Sequence, residues 1–197
     1  MPSSAIPGRA AAVFATAALI LQGTATAMYG AAGGPASGLS DNPAHLLASG
    51  ATGSGLLRWG SLIDMFGYLC LAPVVLYLRE RYPAAQWKDV FAVAGLALVV
   101  IGSIGAAAMA TAAPALINEY GAASDASRQA MLPAFATLYR AVVIGMWQTL
   151  ESIPAAVWLL GNAHASRRIG PRAVTALLAV LGAINLLLAA YRLTSIS

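Results

Sequence analysis

Five long apolar runs constrain this chain more than any other feature of its sequence. Soluble domains carry about 25% charged residues, whereas this chain carries 9%. A helix needs about 20 apolar residues to cross the hydrocarbon core of a bilayer. We therefore predict an all-α integral membrane protein, a single helical bundle with five transmembrane helices. The predicted spans are residues 10–29, 56–78, 90–113, 133–162 and 173–191.

The first span has two interpretations, and both stay open at this point. Arg9 precedes an apolar run that ends near the small residues 25–27, as in a cleaved signal peptide. A retained helix is the alternative that we favour, because other spans follow and multi-pass chains seldom need a cleaved leader. The signal peptide would comprise residues 1–27.

We predict two outer loops, residues 30–55 and 114–132. Each connects two successive spans, and both lie on the same side of the membrane. Asp41-Asn42-Pro43 is a turn or helix-start signal, so a short helical turn is expected at residues 44–47. In the second segment, Ser124 is a candidate N-cap for a helix leading towards Pro133.

The positions of the basic residues predict how the chain is oriented. Lys and Arg are enriched in the cytoplasmic loops of membrane proteins. An N-terminus on the inside of a bacterial-type cytoplasmic (inner) membrane places seven of the eleven basic residues on the cytoplasmic side. They are Arg9, Arg79, Arg81, Lys88, Arg167, Arg168 and Arg172. These short clusters beside apolar spans indicate membrane orientation and no nucleic-acid partner.

Ionisable residues inside the spans are the strongest functional signal. Each costs roughly 2.5–3.5 kcal/mol at membrane depth, so such residues are rarely idle. On an α-helix turning about 100° per residue, Arg140, Trp147 and Glu151 share one face, with Gln148 about 80° from Arg140. The same rotation predicts that Val142 points away from that face.

The depth of each residue in the membrane predicts that Asp64, on the second span, is a partner for the stripe formed by Arg140, Trp147 and Glu151. At about 1.5 Å per residue, Asp64 falls between Arg140 and Glu151 in depth. Tyr68 and Ser61 lie near the Asp64 face. One interpretation is a buried Asp64–Arg140 pair that fixes helix register.

The other interpretation of these residues is a polar pocket. Arg140 would then hold an anionic group or counter-ion, and the desolvated Glu151 would exchange protons near neutral pH. Headgroup snorkelling by Arg140 is a third possibility. The candidate polar site is therefore Asp64, Tyr68, Arg140, Trp147, Gln148 and Glu151.

Small residues mark one face of the third span, namely Gly95, Gly102, Gly105 and Ala106. Such a face permits close approach between helices in lipid, so we expect a structural role for this span. We expect Gln22 and Asn185 to form hydrogen bonds between helices.

The sequence lacks the residues that several common kinds of site require. The single cysteine, Cys70, excludes an internal disulfide and a cysteine metal cage. There is no paired-histidine metal site, phosphate-binding glycine motif or nucleophile elbow. We predict no metal and no cofactor.

Residues 58–81 carry an Arg- and Asp-bearing span that ends in Leu76-Tyr77-Leu78-Arg79. This stretch resembles a group of bacterial multi-pass proteins catalogued only as a domain of unknown function. The resemblance implies a multi-span membrane fold and no particular activity. Members of that group often look six-spanned, whereas five spans are predicted here.

Three functions stay open from the sequence. The leading hypothesis is an intramembrane polar pocket for small-molecule or proton-coupled transport. The alternatives are a membrane-embedded enzyme acting on a lipid-like substrate by acid–base chemistry, and a non-catalytic membrane subunit. Expected partners are the lipid bilayer, a small-molecule ligand, and a second copy or another membrane protein.

Overall fold

The described part of the chain, residues 6–33, 43–82, 86–167 and 171–194 of a computed structural model, is built from helices and contains no strand. The helices are α1 (Gly8–Ala31), α2 (Pro43–Leu47), α3 (Gly50–Arg81), α4 (Lys88–Ala122), α5 (Asp125–Tyr139), a π-helical segment (Arg140–Leu150), α6 (Ser152–Ser166) and α7 (Arg172–Thr194). The π-helical segment joins α5 to α6 in one 42-residue helical run, Asp125–Ser166. Within the described residues, five runs are thus long and apolar enough to cross a membrane, which confirms the predicted all-α membrane bundle.

The helices on one side of the bundle are longer than the apolar spans predict. We expected an outer loop over residues 114–132, whereas most of this segment is helical. Helix α4 continues through Pro114 to Ala122, and α5 begins at Asp125. Pro114 is buried, and its carbonyl oxygen accepts a hydrogen bond from Ser54 Oγ at 3.3 Å. Hydropathy identifies only the part of a helix that lies in hydrocarbon, so it misses the part that continues beyond it.

Two local predictions for the outer segments are confirmed. Ser124 precedes α5 with extended backbone, and its hydroxyl accepts a hydrogen bond from the Ser127 amide at 3.4 Å. A short helix, α2, forms where a turn was expected, and Leu46 and Leu47 on it are buried. The Asp41-Asn42 part of that signal lies outside the described residues.

Helices α1 and α3 pack antiparallel along a seam of small residues. On α1 and just after it, Ala11, Ala18, Ala25 and Ala32 recur every seven residues and are all buried. On α3, Gly53, Gly60 and Gly67 recur with the same spacing. A seven-residue repeat keeps one seam in register between two helices. Because small residues allow close approach in lipid, α1 is a packed span of the bundle.

Two apolar clusters form the interior, one near each end of the bundle. The cluster at the α2 end includes Met109, Ile117 and Phe135, each at most 2% exposed. The other cluster includes Val75 and Trp158 and lies towards the end where α3 finishes and α4 begins. Side chains such as Leu19 and Leu187, which are 75% and 69% exposed, cover the outside, as expected of a surface in contact with lipid.

The seam between α1 and α3 leads to a stability prediction. A Cβ added at Gly60 would lie 3.2 Å from Met28 Cβ and from the Tyr29 ring, whereas one at Gly23 would meet nothing within 4 Å. We expect Gly60→Leu to lower the free energy of unfolding by about 1–3 kcal/mol, because overpacking forces the helices apart. Gly23→Leu is the matched control and should be neutral or stabilising. Titration with lauryl sulfate in mixed micelles measures the free energy of unfolding of both variants. Equal losses in the two variants would contradict the proposed seam.

Candidate functional site

A layer of polar side chains lies between the two apolar clusters, at the middle of the long helices. Asp64 is 8% exposed and Ser61 is fully buried, both on the face of α3 that turns inward. Glu151 lies where the π-helical segment meets α6. Buried polar groups in hydrocarbon need partners, so the hydrogen bonds of this layer define its chemistry.

Tyr29 of α1 is the partner of Asp64. The Tyr29 hydroxyl lies 3.3 Å from Asp64 Oδ2 and 3.3 Å from Ser61 Oγ, so it can donate its proton to either oxygen. Ser61 and Asp64 are three residues apart and therefore neighbours on one helix face. The sequence prediction placed Ser61 correctly but missed Tyr29, whose contribution depends on the antiparallel pairing of α1 with α3.

Tyr68 holds the second carboxyl group. Its hydroxyl donates to Glu151 Oε1 at 2.8 Å and thereby joins α3 to the start of α6. Tyr68 and Asp64 are four residues apart on α3, so the two carboxyls are reached from one helix face. Glu151 Oε2 is buried and accepts no hydrogen bond from the described residues. One acceptor of the site is therefore left open for another donor.

Glycines of α4 make room for the aromatic side chains of this layer. A Cβ on Gly102 would collide with the Tyr68 ring, and one on Gly105 would collide with Trp147. Trp147 Nε1 donates to the Gly102 carbonyl oxygen at 3.4 Å. The small-residue face of the third span thus accommodates large rings, which is a more specific role than the close helix approach that we expected.

The π-helical segment changes which residues of the fourth span share a face. Its backbone bonds run to the fifth residue back, for example from the Glu151 amide to the Met146 carbonyl at 2.7 Å. Each residue then turns less than in an α-helix, so the α-helical rotation of about 100° does not apply. Val142, predicted to point away, is buried at 4% exposure, while Arg140 is exposed. The predicted stripe of Arg140, Trp147 and Glu151 was therefore wrong.

Arg140 does not join the polar layer. Neither of the ion pairs formed within the described ranges involves it, so the expected Asp64–Arg140 pair is not formed. Arg140 lies eleven residues before Glu151, and Arg58 lies six residues before Asp64, so both arginines lie on the same side of the carboxyl layer, towards the start of their helical runs. Arg58 and Trp59 are also exposed there. This position suits a cation that reaches lipid headgroups.

A cavity of about 360 Å³ adjoins the two carboxyls and is partly open. Five helical runs contribute to its wall. The lining residues are Gln22, Thr26, Asp64, Tyr68, Leu71, Leu98, Glu151, Ala155, Leu159 and Asn185. Helix α1 packs mainly on α3, and α7 packs mainly on α6, with no extensive contact between α1 and α7. Because α1 and α7 do not pack closely against each other, we infer that the cavity opens sideways between them, beside the exposed Thr26.

The six predicted site residues therefore separate into three groups. Asp64, Tyr68 and Glu151 meet at the cavity. Trp147 contacts the same layer from behind, with its ring centroid 6.1 Å from that of Tyr29, and Gln148 is buried with Oε1 unpartnered. Arg140 stands apart at the surface.

Gln22 and Asn185, which we expected to form hydrogen bonds between helices, both line the cavity. Asn185 Nδ2 donates to the Leu181 carbonyl of its own helix at 2.9 Å. Polarity within an apolar span was the signal that identified both residues. Their meeting at one cavity could not be predicted, because α1 and α7 are far apart in sequence.

Comparison of the chain with protein-family models, curated proteins and solved structures finds no match. The resemblance of residues 58–81 to an uncharacterised bacterial family stays a prediction.

The bond between Tyr68 and Glu151 is testable. Tyr68→Phe removes the donor to Glu151 Oε1, and we expect a loss of about 1–2 kcal/mol of unfolding free energy. Tyr77→Phe on the same helix is the control, because the Tyr77 hydroxyl makes no hydrogen bond within the described residues. In a double-mutant cycle with Glu151→Leu, which removes the acceptor, strictly additive losses would show that the bond contributes nothing.

Proposed function

We propose that this protein binds a small molecule in its intramembrane pocket and moves it across a bacterial-type inner membrane in exchange for protons. The N-terminus lies in the cytoplasm, because most basic residues then lie on the inner side. Asp64 and Glu151 are the groups that exchange protons. Gln22 and Asn185 are polar groups at the mouth of the pocket.

The observation that carries this proposal is the pair of tyrosine-bound carboxyls on one cavity wall. Within the described lining there is no Lys, Arg or His. A carboxylate in an apolar environment is costly without a cation, so such a group takes up a proton unless a cation is bound beside it. Two such groups beside one cavity can bind a proton and a ligand in alternation, which is what proton-coupled transport requires.

The size of the cavity and its position support ligand binding over a purely structural role. Ligand pockets have volumes of about 300–1,000 Å³, and this cavity falls at the lower end. A pair that only fixed helix register would have no adjoining space, and the Asp64–Arg140 pair on which that interpretation depended is not formed. Intramembrane acids that face a cavity typically mark ligand or proton pathways.

An enzyme acting on a lipid-like substrate is the second candidate, favoured by the sideways opening between α1 and α7. A lipid chain could reach Glu151 from the bilayer, and a carboxylic acid held by Tyr68 could act as a general acid. Incubating the protein with bacterial polar lipids and analysing them by mass spectrometry separates the two functions. Turnover that is lost in Glu151→Gln would favour the enzyme, whereas unchanged lipids favour transport.

The proposed proton exchange predicts selective reaction with dicyclohexylcarbodiimide, an apolar reagent that adds to protonated carboxyls. We expect Glu151 and Asp64 to be modified at least fivefold faster than Glu119, which is exposed at the end of α4. Peptide mapping by mass spectrometry measures each rate. Modification of Glu119 at an equal or higher rate would contradict the proposal, since it would show that the pocket acids are not available as protonated groups.

The proposed orientation is tested with single cysteines in a Cys70→Ala background. Glu119→Cys and Gln86→Cys place thiols at opposite ends of α4, both on exposed residues. In intact cells a membrane-impermeant maleimide should label the Glu119→Cys variant and should label Gln86→Cys only after permeabilisation. The reverse pattern would show that the N-terminus lies outside.

A further inference from the structure

Within the proposed function, the pocket itself indicates the class of its ligand. We propose that the ligand is a protonated amine on an apolar body, which enters sideways from the bilayer between α1 and α7 and donates an N–H to Glu151. The inference rests on the proposed ligand-binding role, and it adds the charge, the polarity and the route of the ligand.

The charge of the described wall selects a cation. Asp64 and Glu151 supply two carboxyls, and the described lining holds no basic side chain. Arg192, the buried arginine of α7, lies seven residues beyond Asn185, with its guanidinium 5.6 Å from the centre of the Tyr191 ring. It is outside the lining. An anionic ligand would therefore meet two acids without a compensating charge in the wall.

The open acceptor on Glu151 selects a hydrogen-bond donor. Oε1 accepts from Tyr68, whereas Oε2 is buried and has no partner in the described structure. A buried acceptor left unsatisfied is destabilising, and more so when it is charged. An ammonium N–H satisfies it with a charge-assisted bond, which is stronger than a bond between neutral groups. The ring of Tyr68, also in the wall, offers a face that attracts cations.

The rest of the wall selects an apolar body. Leu71, Leu98 and Leu159 line the cavity together with the carboxyls. A ligand that joins an ammonium to an alkyl or aryl group satisfies both parts of this wall. Such molecules also concentrate in bilayers, and α1 and α7, which both contribute to the wall, make no extensive contact with each other.

The experiment uses N,N-dimethyloctylamine as the probe and the full-length protein in lipid nanodiscs. This tertiary amine carries one N–H when protonated and cannot form an amide with an activated carboxyl. We expect it to slow the reaction of Glu151 with dicyclohexylcarbodiimide at least tenfold. Octanoate and 1-octanol at the same concentration should leave the rate within twofold. Octyltrimethylammonium, a cation without an N–H, should protect at least fivefold less than the amine.

The outcomes separate this inference from the proposed function. Rapid reaction of Glu151 with no protection by the amine overturns the ligand class and leaves the proton-exchanging pocket standing. Equal protection by octanoate or 1-octanol overturns the selection for a cation. Equal protection by octyltrimethylammonium overturns the N–H bond to Glu151.

Variants provide an independent measurement by calorimetric titration of the amine. Glu151→Gln should weaken binding at least tenfold, while Glu119→Gln at the exposed end of α4 should bind as the wild type does. Because Glu151→Gln can disturb folding, Thr26→Phe serves as a second variant, since Thr26 is exposed at the opening. Stopped-flow mixing of this variant with the amine should show association at least threefold slower than in the wild type, while both carboxyls stay in place. Unchanged association in Thr26→Phe would overturn the sideways route.

Discussion

The cost of placing carboxyl groups in a bilayer is the constraint on which the interior depends. Asp64 and Glu151 have no cationic partner within the described structure, and each is instead held by a tyrosine hydroxyl, at 3.3 Å and 2.8 Å. These bonds connect α1 to α3 and α3 to the start of α6. The polar layer therefore joins three of the long helical runs, and an apolar cluster lies on either side of it.

The other structural features follow from this layer. Tyr68 and Trp147 are large rings in a narrow bundle, and α4 accommodates them by having glycine at positions 102 and 105. The π-helical segment brings Glu151 to the cavity while Arg140 stays at the surface. Departures from α-helical geometry of this kind occur frequently at functional sites. The π-helical segment ends where Glu151 enters the wall of the cavity, and this position favours a binding role over a purely structural one.

The cavity favours a ligand of the opposite charge to the one that the sequence suggests. Arg140 in the pocket would favour an anion, because a guanidinium binds carboxylates and phosphates well. Without it, the described wall holds only acids, amides, hydroxyls and apolar groups. The inferred specificity therefore reverses from anion to cation, solely because one side chain lies on the other side of its helix.

The sequence by itself determined the membrane class, the five spans, the Ser124 cap and three of the pocket residues, Asp64, Tyr68 and Glu151. These follow from local physics: apolar length, capping chemistry and the cost of polar groups in hydrocarbon. The tertiary structure alone decided the place of Arg140 and the contribution of Tyr29. The first depends on a backbone that departs from 3.6 residues per turn, and the second on which helices pair. Both are set by packing between residues distant in sequence, which a helical projection of one span cannot contain.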